Sequence, residues 1–304
     1  MFKPIHEIIV DIETVGIFCP QKTRGENGML LSNAIFNVGV TVQNSKGIVL
    51  ESYEIGVRDI WEFPEHRIMD FYRKNFTVKD FEIMFEDFQD FFKKWFVPFL
   101  KKRSGKAFVR LWSFNAEFDR RGFIDNLKMY NIHLPERIYD NWSCIMVLFG
   151  NVLNNNPKQK KKYLNFLIEQ EFKSKDFKFV TEAGNFKTSA EATYRWLNNQ
   201  PDFIEEHKGK ADTLIEGEIL QWCKKFRWSR LNRKPQGGGW AITNDTARAF
   251  QSLSSIVADY RDAVDAGGEY PYYLDLKNTE AFDYLLERAF KHNEKKDRKD
   301  WRGR

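Results

Sequence analysis

Glu7–Thr14 reads EIIVDIET. Its first six residues form a run of strand length whose apolar stretch leads into the acid Asp11, and β-branched Ile and Val favour a strand there. Alternate residues of a strand point to the same face, so Asp11 and Glu13 project together from its end. Two carboxylates side by side in a mostly buried setting are costly unless a cation neutralises them. The D-x-E spacing alone is not decisive. Asp80–Phe81–Glu82 repeats it, and there it is expected on the solvent side of a helix.

Outward from this strand, Ala34–Val42 and Ile48–Ile55 are β-rich and flank a turn at Asn44, Ser45 and Gly47, which predicts an antiparallel meander. The long polar loop Val15–Asn33 separates the first two strands, a length associated with functional loops. Phe81, Met84, Phe85, Phe88, Phe92, Trp95 and Phe96 share one helical face, and a helix covering the sheet is expected. Ala107–Ser113 predicts a further strand leading into a helix through Arg120–Tyr130, with Phe118 and Phe123 inward. The order of elements predicts a mixed α/β sheet flanked by helices.

Asn154–Lys162 is expected to be a polar, basic loop. Helices are expected over Thr188–Gln200 and Ala211–Phe226, the second with Leu214, Ile215, Ile219, Cys223 and Phe226 inward. The character then changes: Lys224–Lys234 has six basic residues and no acid, and Pro235 with Gly237–Gly239 marks a joint. Two further helices are expected over Asn244–Ala266 and Thr279–His292. The chain therefore divides at this level into a main α/β domain, 1–223, and a basic linker with a helical extension, 224–304.

With 304 residues there is ample material for a core, and the formal net charge of +5 permits a polyanionic partner without requiring one. No run is long and apolar enough to span a membrane, and Met1–His6 lacks a secretory signal, so cytoplasmic residence is expected. Cys19, Cys144 and Cys223 are scattered and odd in number, which reads as reduced thiols rather than a disulfide framework or zinc site.

Two later segments supply acids that could join Asp11 and Glu13. Phe114–Asp119 (FNAEFD) places Asp119 on the first turn of a helix, and His207-Lys-Gly-Lys-Ala-Asp212 opens an amphipathic helix with Asp212 while His207 stays on the preceding loop. The same spacing recurs at His292 and Asp297, in a charged tail without such a frame.

Taken in order, these pieces resemble the DEDD exonuclease family in its histidine-bearing branch. Asp11 and Glu13 match its first motif, with Thr14 and Gly16 continuing D-I-E-T-x-G; Asn115 with Asp119 match the second, and His207 with Asp212 the third. The stretch from Lys187 to Leu220 is similar to phage-encoded members of the exonuclease A type, and the resemblance covers roughly Ile8–Gln221. The tyrosine-bearing branch is disfavoured because Lys208 stands four residues before Asp212. Three features depart from the pattern: Phe114 where relatives often carry His, Lys208 and Lys210 around Gly209, and the long Val15–Asn33 loop.

The resemblance implies an RNase H-like fold and a 3′→5′ exonuclease with two Mg²⁺ or Mn²⁺ ions. It implies that Asp11, Glu13, Asp119 and Asp212 are ligands and His207 the general base. It also implies that the main chain around Ile12–Thr14 receives the terminal sugar and that Asn115 positions the scissile end. Single-stranded DNA 3′ ends are the expected substrate, with a replication or repair protein as a partner for the C-terminal extension and, for a phage-encoded protein, the host cytoplasm as location. The basic, aromatic-interleaved Lys224–Lys234, with Lys224, Lys225, Arg227 and Arg230, is a candidate strand-tracking surface or a solvated helix end. Rival readings are an exoribonuclease of the same family and a catalytically idle nucleic-acid-binding module. A nucleotidyltransferase could use the acid pair but gives no account of His207 and Asp212.

Overall fold

The computed structural model describes residues 6–15, 34–62, 72–74, 76–104, 110–132, 142–173, 178–179, 187 and 189–226. The Val15–Asn33 loop beyond Val15, Cys19, Arg227, Arg230 and the whole expected C-terminal extension lie outside these residues. The chain divides into two compact units. Among the described residues the first holds those up to Met146 together with Ile204–Lys225, and the second holds Val147–Phe203 and Phe226.

The first unit is built on a mixed six-stranded sheet. Its strands are β1 (Glu7–Thr14), β2 (Ile35–Gln43), β3 (Val49–Val57), β4 (Ile83–Phe85), β5 (Arg110–Ser113) and β6 (Trp142–Cys144), in spatial order β4-β3-β2-β1-β5-β6. The expected meander is present: β1 pairs antiparallel with β2 and β2 with β3, whereas β4, β5 and β6 each join in parallel. Helices of this unit are α1 (Arg58–Trp61), α2 (Phe88–Asp90), α3 (Val97–Ser104), α4 (Ala116–Met129), the start of α5 (Ile145–Asn154), and α8 (Gly209–Lys224).

Register and pleat sort the central strands into two faces. One carries Ile8, Val10 and Ile12 of β1 beside Val38, Val40 and Val42 of β2, all buried. Helix α4 lies on this face, with Gly122 against the Ile12 side chain. An aromatic cluster fills the space: Phe123 packs on Phe88, Phe96 and Trp142 at ring-centroid distances of 5.6, 5.2 and 5.2 Å. The other face carries Glu7, Ile9, Asp11 and Glu13, beside Asn37, Gly39, Thr41 and Gln43. Helix α8 covers it. Ile215, Ile219 and Cys223 are buried beneath that helix as expected, while Leu214 and Phe226 are half-buried.

Three local expectations are corrected in this unit. Ile83–Phe85 is an edge strand, not helix, because Ile83, Met84 and Phe85 pair with Ile55, Gly56 and Val57; over three residues helical and strand periods cannot be told apart. The helical part starts at Phe88, where the Asp87 carboxylate caps the Asp90 N–H at 2.7 Å, and runs through the π-helical Phe91–Phe96 into α3. Phe118 is exposed, since only Phe123 faces the sheet. Asp80 ends the 3-10 turn Val78–Asp80 and Glu82 precedes β4, so this acid pair is not on a helix face.

The second unit contains most of α5, α6 (Pro157–Lys173) and α7 (Ala190–Asn198). Asn154–Lys162, expected as a loop, is mostly helix: Pro157 occupies the first helical position and Asn156 Oδ1 accepts the Gln159 N–H at 3.2 Å. Tyr163 is buried between Phe149 and Trp196, with ring centroids 5.1 and 5.2 Å away. Cys144 and Cys223 of the first unit are buried and not joined in a disulfide, and Cys144 Sγ donates to the Phe114 carbonyl at 3.1 Å.

Candidate active site

Strand β1 brings Asp11 and Glu13 to the α8-covered face of the sheet, both half-buried, with a register shift between Glu13 and Thr14. Bulges of this kind re-aim side chains at strand ends. Strands β1 and β5 pair only over Glu7–Ile9. Beyond that pairing, Asp119 on the first turn of α4 accepts the Ile12 main-chain N–H through Oδ1 at 3.2 Å and is 2 % exposed. Asp212 enters on the first turn of α8, buried, with Oδ1 lacking a hydrogen-bond partner. His207 precedes that helix in a left-handed backbone conformation (φ 52°) with its side chain half exposed. Ligand atoms of Glu13, His207 and Asp212 lie within 4.8 Å of one another.

The start of α8 is held by the sheet itself. Its first N–H groups would be orphans without partners. Here Gly209 donates to Asn37 Oδ1 at 2.9 Å and Lys210 to Glu54 Oε2 at 3.0 Å. Asn37 Nδ2 also donates to Glu54 Oε1, which locks the two caps together. Thr213 shares a 2.7 Å hydroxyl contact with Thr41. The crossing is close: a Cβ on Gly39 would overlap the main chain of Gly209, so neither backbone tolerates a side chain there. Lys208 pairs with Asp80 at 3.1 Å and Lys210 with Glu82. The second D-x-E thus binds the two lysines that flank Gly209, which accounts for their presence at the helix start.

Negative charge accumulates among these side chains. Burial pushes Asp11 well above the carboxylate range, and repulsion from Glu216, Asp119, Asp212 and Glu13 adds to it. Burial raises Glu13 to about 8 against the opposing hydrogen bond from the Tyr72 hydroxyl, 2.8 Å away. Asp119 rises to about 8 and Asp212 to about 9, burial leading in both; the Ile12 N–H opposes the first, and Glu205 and Glu13 reinforce the second. Burial lifts Glu54 to about 7. Without a cation, such a group of acids holds protons at neutral pH.

Of the residues expected to meet substrate, Ile12 and Thr14 are buried, and the Ile12 N–H is already given to Asp119. Asn115 is exposed at the N-cap of α4, and its side chain makes no capping bond. Lys224 pairs with the buried Glu7 at 2.7 Å, while Lys225 is exposed. The sequence reading missed Glu216, Glu205, Tyr72, Glu54 and Asn37. Only Glu216 left a trace: it sits four residues after Asp212 on the apolar side of a helix, where the two acids share a face. No protein-family profile and no curated protein sequence matches this chain.

Proposed function

We propose that this chain is a metal-dependent 3′→5′ exonuclease of the histidine-bearing DEDD type on an RNase H-like fold. The observation that carries the reading is the convergence of Asp11, Glu13, Asp119 and Asp212, from β1, α4 and α8, in one acid cluster beside His207. The strand order, with an antiparallel β1-β2-β3 meander extended in parallel by β5 and β6, supports the fold assignment.

The donor set fits hard divalent cations. It consists of carboxylate oxygens, and two of them, on Asp212 and Glu216, are buried without a hydrogen-bond partner. Oxygen ligands of this kind suit Mg²⁺ or Mn²⁺. Asp11, Glu13, Asp119 and Asp212 would hold two ions, which when bound lower the pKa of water and neutralise charge on a leaving oxygen.

The chain's own groups do the rest. His207, half exposed at the mouth of the acid cluster, accepts the proton of the attacking water through a ring nitrogen. Glu205 stands beside it, with Oε2 4.0 Å from His207 Nδ1. Tyr72 fixes the Glu13 carboxylate, and the Asn37–Glu54 caps fix the helix that carries Asp212. Asn115, exposed beside the site's α4 wall, positions the strand end. DNA 3′ ends, single-stranded by preference, are the substrate, and nucleoside 5′-monophosphates the product.

Digestion of 3′-labelled and 5′-labelled single-stranded DNA, duplex DNA and RNA in Mg²⁺ tests this. Immediate release of 3′ label as mononucleotide, with the 5′ label retained on shortening products, is expected on single-stranded DNA. Faster loss from RNA would move the assignment to an exoribonuclease. Intact substrates in both Mg²⁺ and Mn²⁺ would leave an idle binding module in its place.

A further inference from the structure

Glu216 stands one helical turn beyond Asp212 on α8, with 3 % of its surface exposed. Its Oε2 is buried and has no hydrogen-bond partner, while the Phe114 main-chain N–H donates to the carboxylate. Phe114 lies directly ahead of Asn115 and the α4 turn that presents Asp119. The Glu216 charge is among those that raise Asp11, and Asp119 and Asp212 raise Glu216 in turn, so the side chain belongs to the same acid cluster.

A purely structural role does not account for an acid here. Glutamine has the same length and would still accept the Phe114 N–H without burying a charge beside Asp11. An apolar residue would match Ile215 and Ile219, its buried neighbours on α8. An acid whose spare oxygen is buried, unpartnered and adjacent to two other acids makes sense where a cation is shared.

We propose that Glu216 is a fifth carboxylate of the cation centre. This rests on the metal-centre reading above. The acid comes from the same helix as Asp212, so the Asn37–Glu54 caps that fix α8 set both acids at once. The centre gains a negative charge, which favours its full occupancy at low cation concentration.

Calorimetric titration of the full chain with Mn²⁺ alone, paired with the Mn²⁺ paramagnetic spectrum and metal-free melting curves, tests this. In Glu216→Gln, affinity at one of two positions should fall by about tenfold or more. The spectral signature of two neighbouring Mn²⁺ ions should vanish, and the metal-free melting temperature should hold or rise. An isotherm identical to wild type would overturn the proposal. Should Glu216→Gln not fold, Glu216→Asp is read instead: weaker Mn²⁺ binding at an unchanged metal-free melting temperature carries the proposal, and wild-type binding overturns it. A wild-type chain that takes up no Mn²⁺ would overturn the metal centre itself and this inference with it. Equal isotherms for wild type and variant would remove Glu216 alone.

Discussion

The two faces of the central sheet are drawn from the same strands and differ in almost every physical respect. The face under α4 is a dry cluster of Ile, Val, Phe and Trp, in which burial of apolar surface supplies the stability. The face under α8 carries Asp11, Glu13, Asn37, Thr41 and Glu54, with Gly39 leaving room for a helix to come almost to the backbone. That face is held by specific hydrogen bonds and burdened with repelling acids. Since strand residues alternate, one set of strands supports both faces, and the stabilising face can offset the strain of the other.

The largest test of this division is to remove an acid. Asp11→Ala or Asp212→Ala should reduce Mg²⁺-dependent mononucleotide release to background while the metal-free melting temperature holds or rises. A variant that retains wild-type turnover would end the assignment. On the opposite face, Phe123→Ala should cost about 3–5 kcal/mol of stability in a denaturant titration, because the ring is buried among four aromatic neighbours and leaves a cavity. Stability moves in opposite directions on the two faces, and equal signs would break the comparison.

His207→Ala should slow the reaction by about two to four orders of magnitude, with no change in melting temperature, since the side chain is half exposed. A normal rate would assign the base elsewhere. Gly39→Ala introduces a methyl group where the Gly209 main chain already lies. It should cost about 1–3 kcal/mol and lower the rate as well, by displacing the start of α8; a stability loss without a rate loss would detach that helix start from the chemistry.

The smallest effect is a slope with pH. Folded Glu54, Glu13, Asp119 and Asp212 titrate at about 7, 8, 8 and 9, above their ordinary values near 4, so the folded state binds more protons than the unfolded one across that interval. Their contribution to metal-free stability is present at low pH and is lost as pH rises from about 4 to about 9. Melting temperatures recorded over this range should decline, and saturating Mg²⁺ should flatten the decline. A metal-free profile that rises with pH would contradict the burial of these acids.

How much of this was legible depended on how local each feature is. Strands β1, β2 and β3 were readable from β-branched runs and a turn, and the helix after β5 from its amphipathic pattern. Asp11, Glu13, Asp119, His207 and Asp212 were singled out because they stand at the ends of such elements. Ile83–Phe85 misled because three apolar residues fit either period, and Asn154–Lys162 because polarity outweighed the Pro157 start signal. Phe118 misled because an aromatic residue beside a site was assumed to pack.

The sequence by itself determined that an acid pair ends an apolar strand and that two later helices open with acids, since periodicity and capping act over a few residues. Only the tertiary structure decided that Asn37 and Glu54 cap α8, that Asp80 and Glu82 engage Lys208 and Lys210, and that Glu216 joins the acid cluster of Asp11. Those relations join residues 128 or more positions apart in the chain. They follow from sheet register and the close crossing at Gly39, which no local pattern encodes.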